Sequence, residues 1–222
     1  MIALDGPSGT GKSTVAQRLA GRLGAQYLDT GAMYRAATVA VLAAGVDPAD
    51  TEAVRRTVAG SRIEVSLDPG RQRTVLDGRD VTGQIRTAET TAAVSAVSAV
   101  PAVRELLVGQ QRELIRQGPT VAEGRDIGSV VWPDAELKVY LTAREEVRAS
   151  RRAGQLGERD VDRIAEAIRR RDAFDSGRAA SPLRRSDGAV EVDTSDLTID
   201  EVVSALVELA RQATPVSTAR RG

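Results

Sequence analysis

Gly6-Pro7-Ser8-Gly9-Thr10-Gly11-Lys12-Ser13 follows a short apolar run, Ile2-Ala3-Leu4, and leads into a helical pattern that begins near Lys12. The spacing G-x-x-x-x-G-K-S, between a strand and a helix, is that of a phosphate-binding loop (P-loop). Its glycines let the backbone turn tightly with N–H groups pointing inward, and they leave room for phosphate oxygens. The helix that follows adds the positive end of its dipole and its unpaired N–H groups. Lys12 has the reach for β/γ-phosphates, and the Ser13 hydroxyl suits a magnesium ion. The bland alternative is a glycine-rich turn with an accidental lysine. Against it, Lys12 and Lys138 are the only lysines among 31 basic residues, and a compact ammonium on a flexible stem is what such a loop uses.

Composition narrows the chemistry. At 222 residues the chain is one medium domain or a domain with a small insertion, long enough to bury a core. Aromatic residues are 2% of it, so Val, Leu, Ile and Ala must fill that core. There is no cysteine and no histidine, which excludes disulfides, thiol nucleophiles, Ser-His-Asp chemistry and most zinc enzymes. A formal net charge of zero argues against non-specific nucleic-acid binding. No apolar run reaches membrane-spanning length, and the N-terminus enters the first strand at once, so a cytoplasmic protein without a membrane partner is expected. A monomer is expected too. The first strand is short, and the natural chain is expected to extend a few residues upstream.

Outward from the loop, residues 12–23 read as an amphipathic helix with Val15, Leu19 and Leu23 inward and Gly24 as its stop. Gln26-Tyr27-Leu28 then runs into Asp29-Thr30-Gly31-Ala32-Met33-Tyr34-Arg35, a strand–turn–helix edge rich in polar groups. Asp29-Thr30 also reads as an ordinary helix N-cap. Residues 62–86 alternate and turn at Asp77-Gly78, which predicts a small antiparallel insertion with Val81 on a third short strand. Residues 87–98 are weakly helical. Pro101 opens a helix to about Gln117, with Val103, Leu106, Leu107, Leu114 and Ile115 inward.

Thr120-Val121-Ala122-Glu123 is a strand that delivers Gly124-Arg125-Asp126, and such strand ends line the crevice of open α/β sheets. Leu137–Leu141 is the next strand. Ala143 to Arg185 carries twelve Arg against eight Asp or Glu. Arg148, Arg151 and Arg152 share one helix face, and Arg171 and Asp175 share another, with Arg178 just beyond. Two such helices joined at Gly154 and Gly157 predict a hairpin that folds over the P-loop. A salt-bridged, solvated hairpin is the alternative. A last strand, Ala189–Asp193, precedes a capping box at Thr198–Glu201 and a final helix with Val202, Val203, Leu206 and Leu209 inward; residues 214–222 read as a flexible tail.

The expected class is therefore an α/β fold: a P-loop-type parallel sheet flanked by helices, a small antiparallel-β and helical insertion, and a short arginine-rich lid. The core is expected at about 1–35, 101–147 and 180–213, the insertion at about 36–100 and the lid at about 148–179. A P-loop with several arginines is a phosphoryl-transfer site, where positioning and charge stabilisation dominate. The chain lacks the N/T-K-x-D motif of a GTPase. Its size and its arginine hairpin favour a small-molecule kinase. Arg35 and Arg125 are placed to clamp a monophosphate. Asp126, Ser95 and Arg178 supply an acceptor and donors suited to cytosine, although spacing alone leaves the base open. Kinases of UMP, AMP or GMP, a P-loop ATPase with water as acceptor, and a non-enzymatic nucleotide sensor remain alternatives.

Six segments together resemble the bacterial cytidylate kinases along nearly the whole chain: IALDGPSGTGKST (2–14), YLDTGAMYRA (27–36), DGRDVTGQIRT (77–87), EGRDIGSVVWPDA (123–135), RRRDAFDSGRAASPL (169–183) and VDTSDLTIDEV (192–202). The resemblance implies transfer of a phosphoryl group from ATP to CMP or dCMP with magnesium. It implies an ATP site from Gly6 to Thr14, with Lys12 catalytic and Ser13 toward the metal. Thr30, Tyr34, Arg35 and Arg125 look like the residues of the CMP phosphate and its pocket. Ser95, Arg104, Asp126 and Arg178 look like base contacts, and Arg171 and Asp175 like sugar contacts. Arg148, Arg151 and Arg152 would be the lid arginines, and Arg86 borders the insertion and the pocket. Asp29 and Asp126 are candidates for a second metal ligand.

Overall fold

The computed structural model describes residues 1–177 and 182–213. The opening apolar run is strand β1 (Ile2–Asp5), and the P-loop leads into helix α1 (Lys12–Leu23). Strand β2 (Gln26–Asp29) runs directly into α2 (Thr30–Ala43), and α3 (Thr51–Ala59) follows. Three short strands, β3 (Ile63–Val65), β4 (Thr74–Leu76) and β5 (Arg79–Asp80), form a small antiparallel sheet. Asp77 and Gly78 turn its hairpin with φ of 49° and 80°, as a tight turn matched to strand twist requires. Helices α4 (Ala88–Ala99) and α5 (Pro101–Ile115) meet at 95°, with Pro101 in the first turn of α5.

The chain then returns to the main sheet through β6 (Thr120–Gly124) and β7 (Leu137–Thr142). A helical hairpin, α6 (Glu145–Leu156) and α7 (Val161–Ser176), precedes β8 (Val190–Asp193) and α8 (Ile199–Ala213). The main sheet is wholly parallel in the order β2-β6-β1-β7-β8, so the P-loop strand is central. All five strands end at one edge, which gathers Gly6, Thr30, Arg125 and Thr194 there although they are far apart in sequence.

Side-chain alternation along β1 divides the core. Ile2 and Leu4 pack with Val15 and Leu19 of α1 and with Val202, Val203 and Leu206 of α8. Ala3, between them, faces Leu28, Met33, Val103 and Leu107 on the other side. Each fully buried branched side chain contributes on the order of 1.5–3 kcal/mol relative to exposure. Helix α2 is buried nearly all round, because it is sandwiched between the sheet, α4 and the small insertion. The insertion is tied back to the core where the Tyr27 N–H donates to the Leu67 carbonyl at 2.9 Å.

Several sequence expectations are corrected. Helix α3 was not anticipated, although Asp50 caps it and Val54 and Val58 bury one face at i, i+4. Val81 is buried just beyond β5 rather than in it. Leu23 and Leu106, expected inward, are each 36% exposed. Leu23 is the last residue of α1, at the turn that Gly24 caps. On α5 the buried stripe runs through Val103, Arg104, Leu107, Val108, Gln111 and Ile115, which leaves Leu106 on the flank. The turn Ile127–Val131 is a single π-helical turn, anchored by Arg112 donating to the carbonyls of Val130 (2.8 Å) and Val131 (2.9 Å). Residues 214–222, read as a tail, lie outside the described residues.

Candidate active site

A cleft of about 560 Å³ opens at the C-terminal edge of the main sheet. One wall is the P-loop: Ser8, Gly9, Gly11, Lys12, Ser13 and Thr14 line it. Gly9 and Gly11 adopt φ of 80° and 89°, which side chains disfavour, and a Cβ on Gly9 would stand 2.8 Å from the Arg148 carbonyl oxygen. The loop therefore turns tightly enough to expose its N–H groups and lets α6 approach. Pro7 and Thr10 act within the loop: the Thr10 hydroxyl and the Lys12 ammonium both donate to the Pro7 carbonyl, at 3.1 and 2.6 Å.

Lys12 is buried at the base of this wall. Burial, reinforced by the nearby Arg125, pulls its ammonium down to about 7, against the attraction of Glu123. Glu123 is the one carboxylate in β6, one residue before its end. Burial pushes its carboxyl up, and Asp29 adds to the effect; Lys12 and hydrogen bonds from Ser13 and Tyr27 oppose it. Among the described residues no group of three or more acidic side chains is arranged to hold a metal. The donors beside Ser13 are nonetheless oxygens, with Glu123 bonded to the Ser13 hydroxyl. That set fits a hard cation which takes its remaining ligands from phosphate and water. Asp29 and Asp126, the two sequence candidates for a second ligand, are both occupied elsewhere.

The opposite wall carries Asp29, Thr30, Tyr34, Arg35, Arg86, Val94, Ser98 and Arg104. Asp29 caps α2, as its sequence allowed, and also binds Arg86. One oxygen caps α2 through the Ala32 N–H at 2.9 Å, and the other accepts from Arg86 at 3.1 Å. Thr30 donates to the Glu123 carbonyl at 2.7 Å, pinning the start of α2 to β6. Arg35 is held by the Ile85 carbonyl (3.0 Å) and Thr91 (2.9 Å). Burial pulls its guanidinium down to about 9, and Arg171, Arg86 and Arg152 add to this. Arg171 is pulled down to about 10 by burial, with Arg125 contributing.

Arg104 and Asp126 form a buried ion pair deep in this wall, with Arg104 stacked over the Tyr34 ring at 5.3 Å. Ser95 does not line the cleft. Val94 and Ser98, four residues apart, face it, and Ser95 lies about 100° round the helix, where its carbonyl accepts from the Ser98 hydroxyl at 3.1 Å. Arg178 lies outside the described residues.

Arg125 bridges the two walls, donating to the Gly6 carbonyl at 2.6 Å and to Asp175 of α7 at 3.0 Å. The helical hairpin reaches the P-loop as expected: Arg148 donates to the Ser8 carbonyl at 3.1 Å and pairs with Asp172, which accepts from the Ser8 N–H at 3.3 Å. The three hairpin arginines part company, however. Arg152 lines the cleft beside Gln155, Arg148 sits on the P-loop, and Arg151 turns away to Thr194.

Asp5, unremarked in the sequence, closes β1 immediately before Gly6. Its two buried oxygens accept from the Ile127 and Gly128 N–H groups, each at 2.8 Å, and so fix the turn that carries Arg125 and Asp126. Burial pushes the carboxyl up to about 6. The two N–H donors and Lys12 pull the other way, while Asp126 adds to the rise. Below pH 6 one oxygen becomes an O–H facing an N–H. Affinity for the ligand of Arg125 and Asp126 is therefore expected to weaken between pH 7 and 5, and the loss near pH 6 should vanish in Asp5→Asn. Unfolding would not explain it. The folded pKa lies above the unfolded value of 3.8, so the native state binds the extra proton, and this group's contribution to stability rises as pH falls through 6. Binding isotherms and thermal melts at each pH separate the two effects.

A central P-loop strand in a parallel sheet, with a second bank of guanidinium groups across one cleft, defines a P-loop kinase. A family model for cytidylate kinase matches residues 2–212. The cytidylate kinase of Mycolicibacterium paratuberculosis is 52% identical over 223 residues, covering 98% of this chain and 97% of that protein. That of Rhodococcus opacus is 55% identical over 212 residues, covering 93% of each. The chain belongs to the cytidylate kinase family.

Proposed function

We propose that this chain transfers the γ-phosphoryl group of ATP to CMP or dCMP, giving ADP and the corresponding diphosphate. The observation that carries this reading is the pairing of two cationic banks across one cleft. Lys12 and the P-loop N–H groups stand on one side, Arg35 and Arg86 stand on the other, and Arg125 bridges the two, with Arg171 also lining the cleft. Arg35 and Arg171, both pulled down by burial and by neighbouring guanidinium groups, suit a site for two phosphate-bearing substrates.

Lys12 and the loop from Gly6 to Thr14 bind the triphosphate. Arg35 and Arg125 orient the acceptor phosphate in line with it, and Thr30 and Tyr34 shape its pocket. Arg152 and Arg171 neutralise charge that spreads over the migrating group, a role worth roughly 10³–10⁵ in rate for an inserted arginine. The Asp126 carboxylate accepts from the cytosine amine while Arg104 holds it in place, and Ser98 faces the same space. Asp175 holds Arg125 toward the sugar and phosphate. Ser13, backed by Glu123, would hold magnesium, which supplies charge neutralisation at the β/γ-phosphates when bound. The insertion at about 36–100 and the lid at about 148–179 close over the substrates and exclude water, the competing acceptor. The enzyme acts as a cytoplasmic monomer. No single helix among the described residues is long and apolar enough to cross a membrane.

Phosphorus NMR of the protein with ATP, magnesium and CMP tests this reading. ADP and CDP resonances should grow in equal amounts. Inorganic phosphate growing in place of CDP would make the protein an ATPase and remove the second-substrate assignment.

A further inference from the structure

Thr194 lies just past the end of β8 and is 2% exposed. Its N–H donates to the Thr142 carbonyl at the end of β7, at 2.9 Å. Its hydroxyl lies 3.1 Å from that same carbonyl and 3.1 Å from the carbonyl of Thr10, inside the P-loop. Arg151 of α6 completes the cluster, with one guanidinium nitrogen donating to the Thr194 hydroxyl oxygen at 2.9 Å and another to its carbonyl at 2.7 Å.

Thr10 lies between Gly9 and Gly11, whose backbones no side chain constrains. The Thr10–Gly11 peptide would turn freely unless something held it. A trans peptide is planar, with its C=O and N–H pointing in opposite directions. A donor that holds the Thr10 carbonyl on the outside of the loop therefore turns the Gly11 N–H to the inside, where phosphate binds. Arg151 donates to the hydroxyl oxygen, so the hydroxyl's own proton is left for the carbonyls.

We propose that Thr194 is a positioning residue for the P-loop, aiming the Gly11 N–H at the nucleotide phosphates, and that Arg151 acts through Thr194 rather than on the transferred phosphoryl group. This rests on the reading of the P-loop as the ATP site. It assigns Arg151 a different task from its neighbours Arg148 and Arg152.

The test compares Thr194→Val, Thr194→Ser, Arg151→Met and the Val/Met double variant with the wild-type enzyme. It uses steady-state kinetics and calorimetric titration with ATP. Thr194→Val keeps the shape and removes the hydroxyl. It should raise KM and Kd for ATP about tenfold, the worth of one net hydrogen bond, and leave KM for CMP within about twofold. Thr194→Ser should recover most of that loss. Arg151→Met should weaken ATP binding in the wild-type background and add little in the Val background. Arg151→Met sits on a partly exposed helix and gives the same readout where Thr194→Val does not fold. Unchanged ATP binding in both single variants would overturn the proposal. So would a large kcat loss from Arg151→Met that is fully retained beside Thr194→Val, since that would mark direct contact with the reacting group. If the wild-type protein made no CDP, the proposed reaction would fall, while the calorimetric comparison would still decide the role of Thr194.

Discussion

Lys12→Met lowers kcat by about 10³-fold or more and leaves the protein at least as stable as the wild type at pH 7. The rate loss follows from removing a preorganised positive charge beside the phosphates, in a site where charge stabilisation carries most of the catalysis. The stability expectation follows from where the ammonium sits. Lys12 is buried and its pKa is pulled down to about 7. Between that value and its ordinary one near 10.5, the unfolded chain binds more protons than the native one, so stability rises with pH across the window. At pH 7 the lysine therefore costs folding energy, and methionine removes that cost while filling the same space. Turnover with ATP and CMP, alongside thermal melts, checks both halves. Unaltered turnover in a folded variant would end the P-loop assignment.

Asp126→Ala has the largest expected effect on stability. It leaves Arg104, 5% exposed, without its carboxylate partner. Breaking one side of a buried ion pair costs roughly 3–5 kcal/mol. For a chain of this size that lowers Tm on the order of 10 °C. The stack on Tyr34 and the 3.3 Å hydrogen bond from Arg104 to the Ser98 carbonyl do not replace the lost charge. Replacing both partners, as Arg104→Met with Asp126→Leu, should restore most of the stability but not the ability to use CMP. Differential scanning calorimetry of the three proteins measures this. A single variant as stable as wild type would mean that Arg104 reaches solvent or another anion.

Much of this site is legible because its signals are local. The glycine spacing of 6–13, the helix caps at Asp29 and at Thr198 with Glu201, and the turn at Asp77-Gly78 are each decided within a few residues. Parallel strands ending at one edge then bring Arg35 and Arg125 to the same cleft without further information. What sequence did not disclose are pairings across the chain. Asp5 meets Ile127 and Gly128 more than 120 residues away, and Arg151 meets Thr194 across 43. A helix face predicts which arginines are neighbours, but not that one of the three is taken up by a threonine just past the end of β8. Ser95 and Ser98 are likewise indistinguishable until the rotation of α4 is known. Asp5 and Glu123 did carry a usable signal, each being a lone carboxylate at or next to the end of a buried strand.

A coupled ADP-release assay with ATP and magnesium tests the central claim most directly, with CMP, dCMP, UMP, AMP and GMP offered in turn beside a control without acceptor. CMP and dCMP should be turned over rapidly. UMP should be slower by about tenfold or more, because it presents an acceptor where Asp126 demands a donor, and the purine nucleotides and the control should give little ADP. ADP release as fast without acceptor as with CMP, or equal turnover of all five nucleotides, would contradict it.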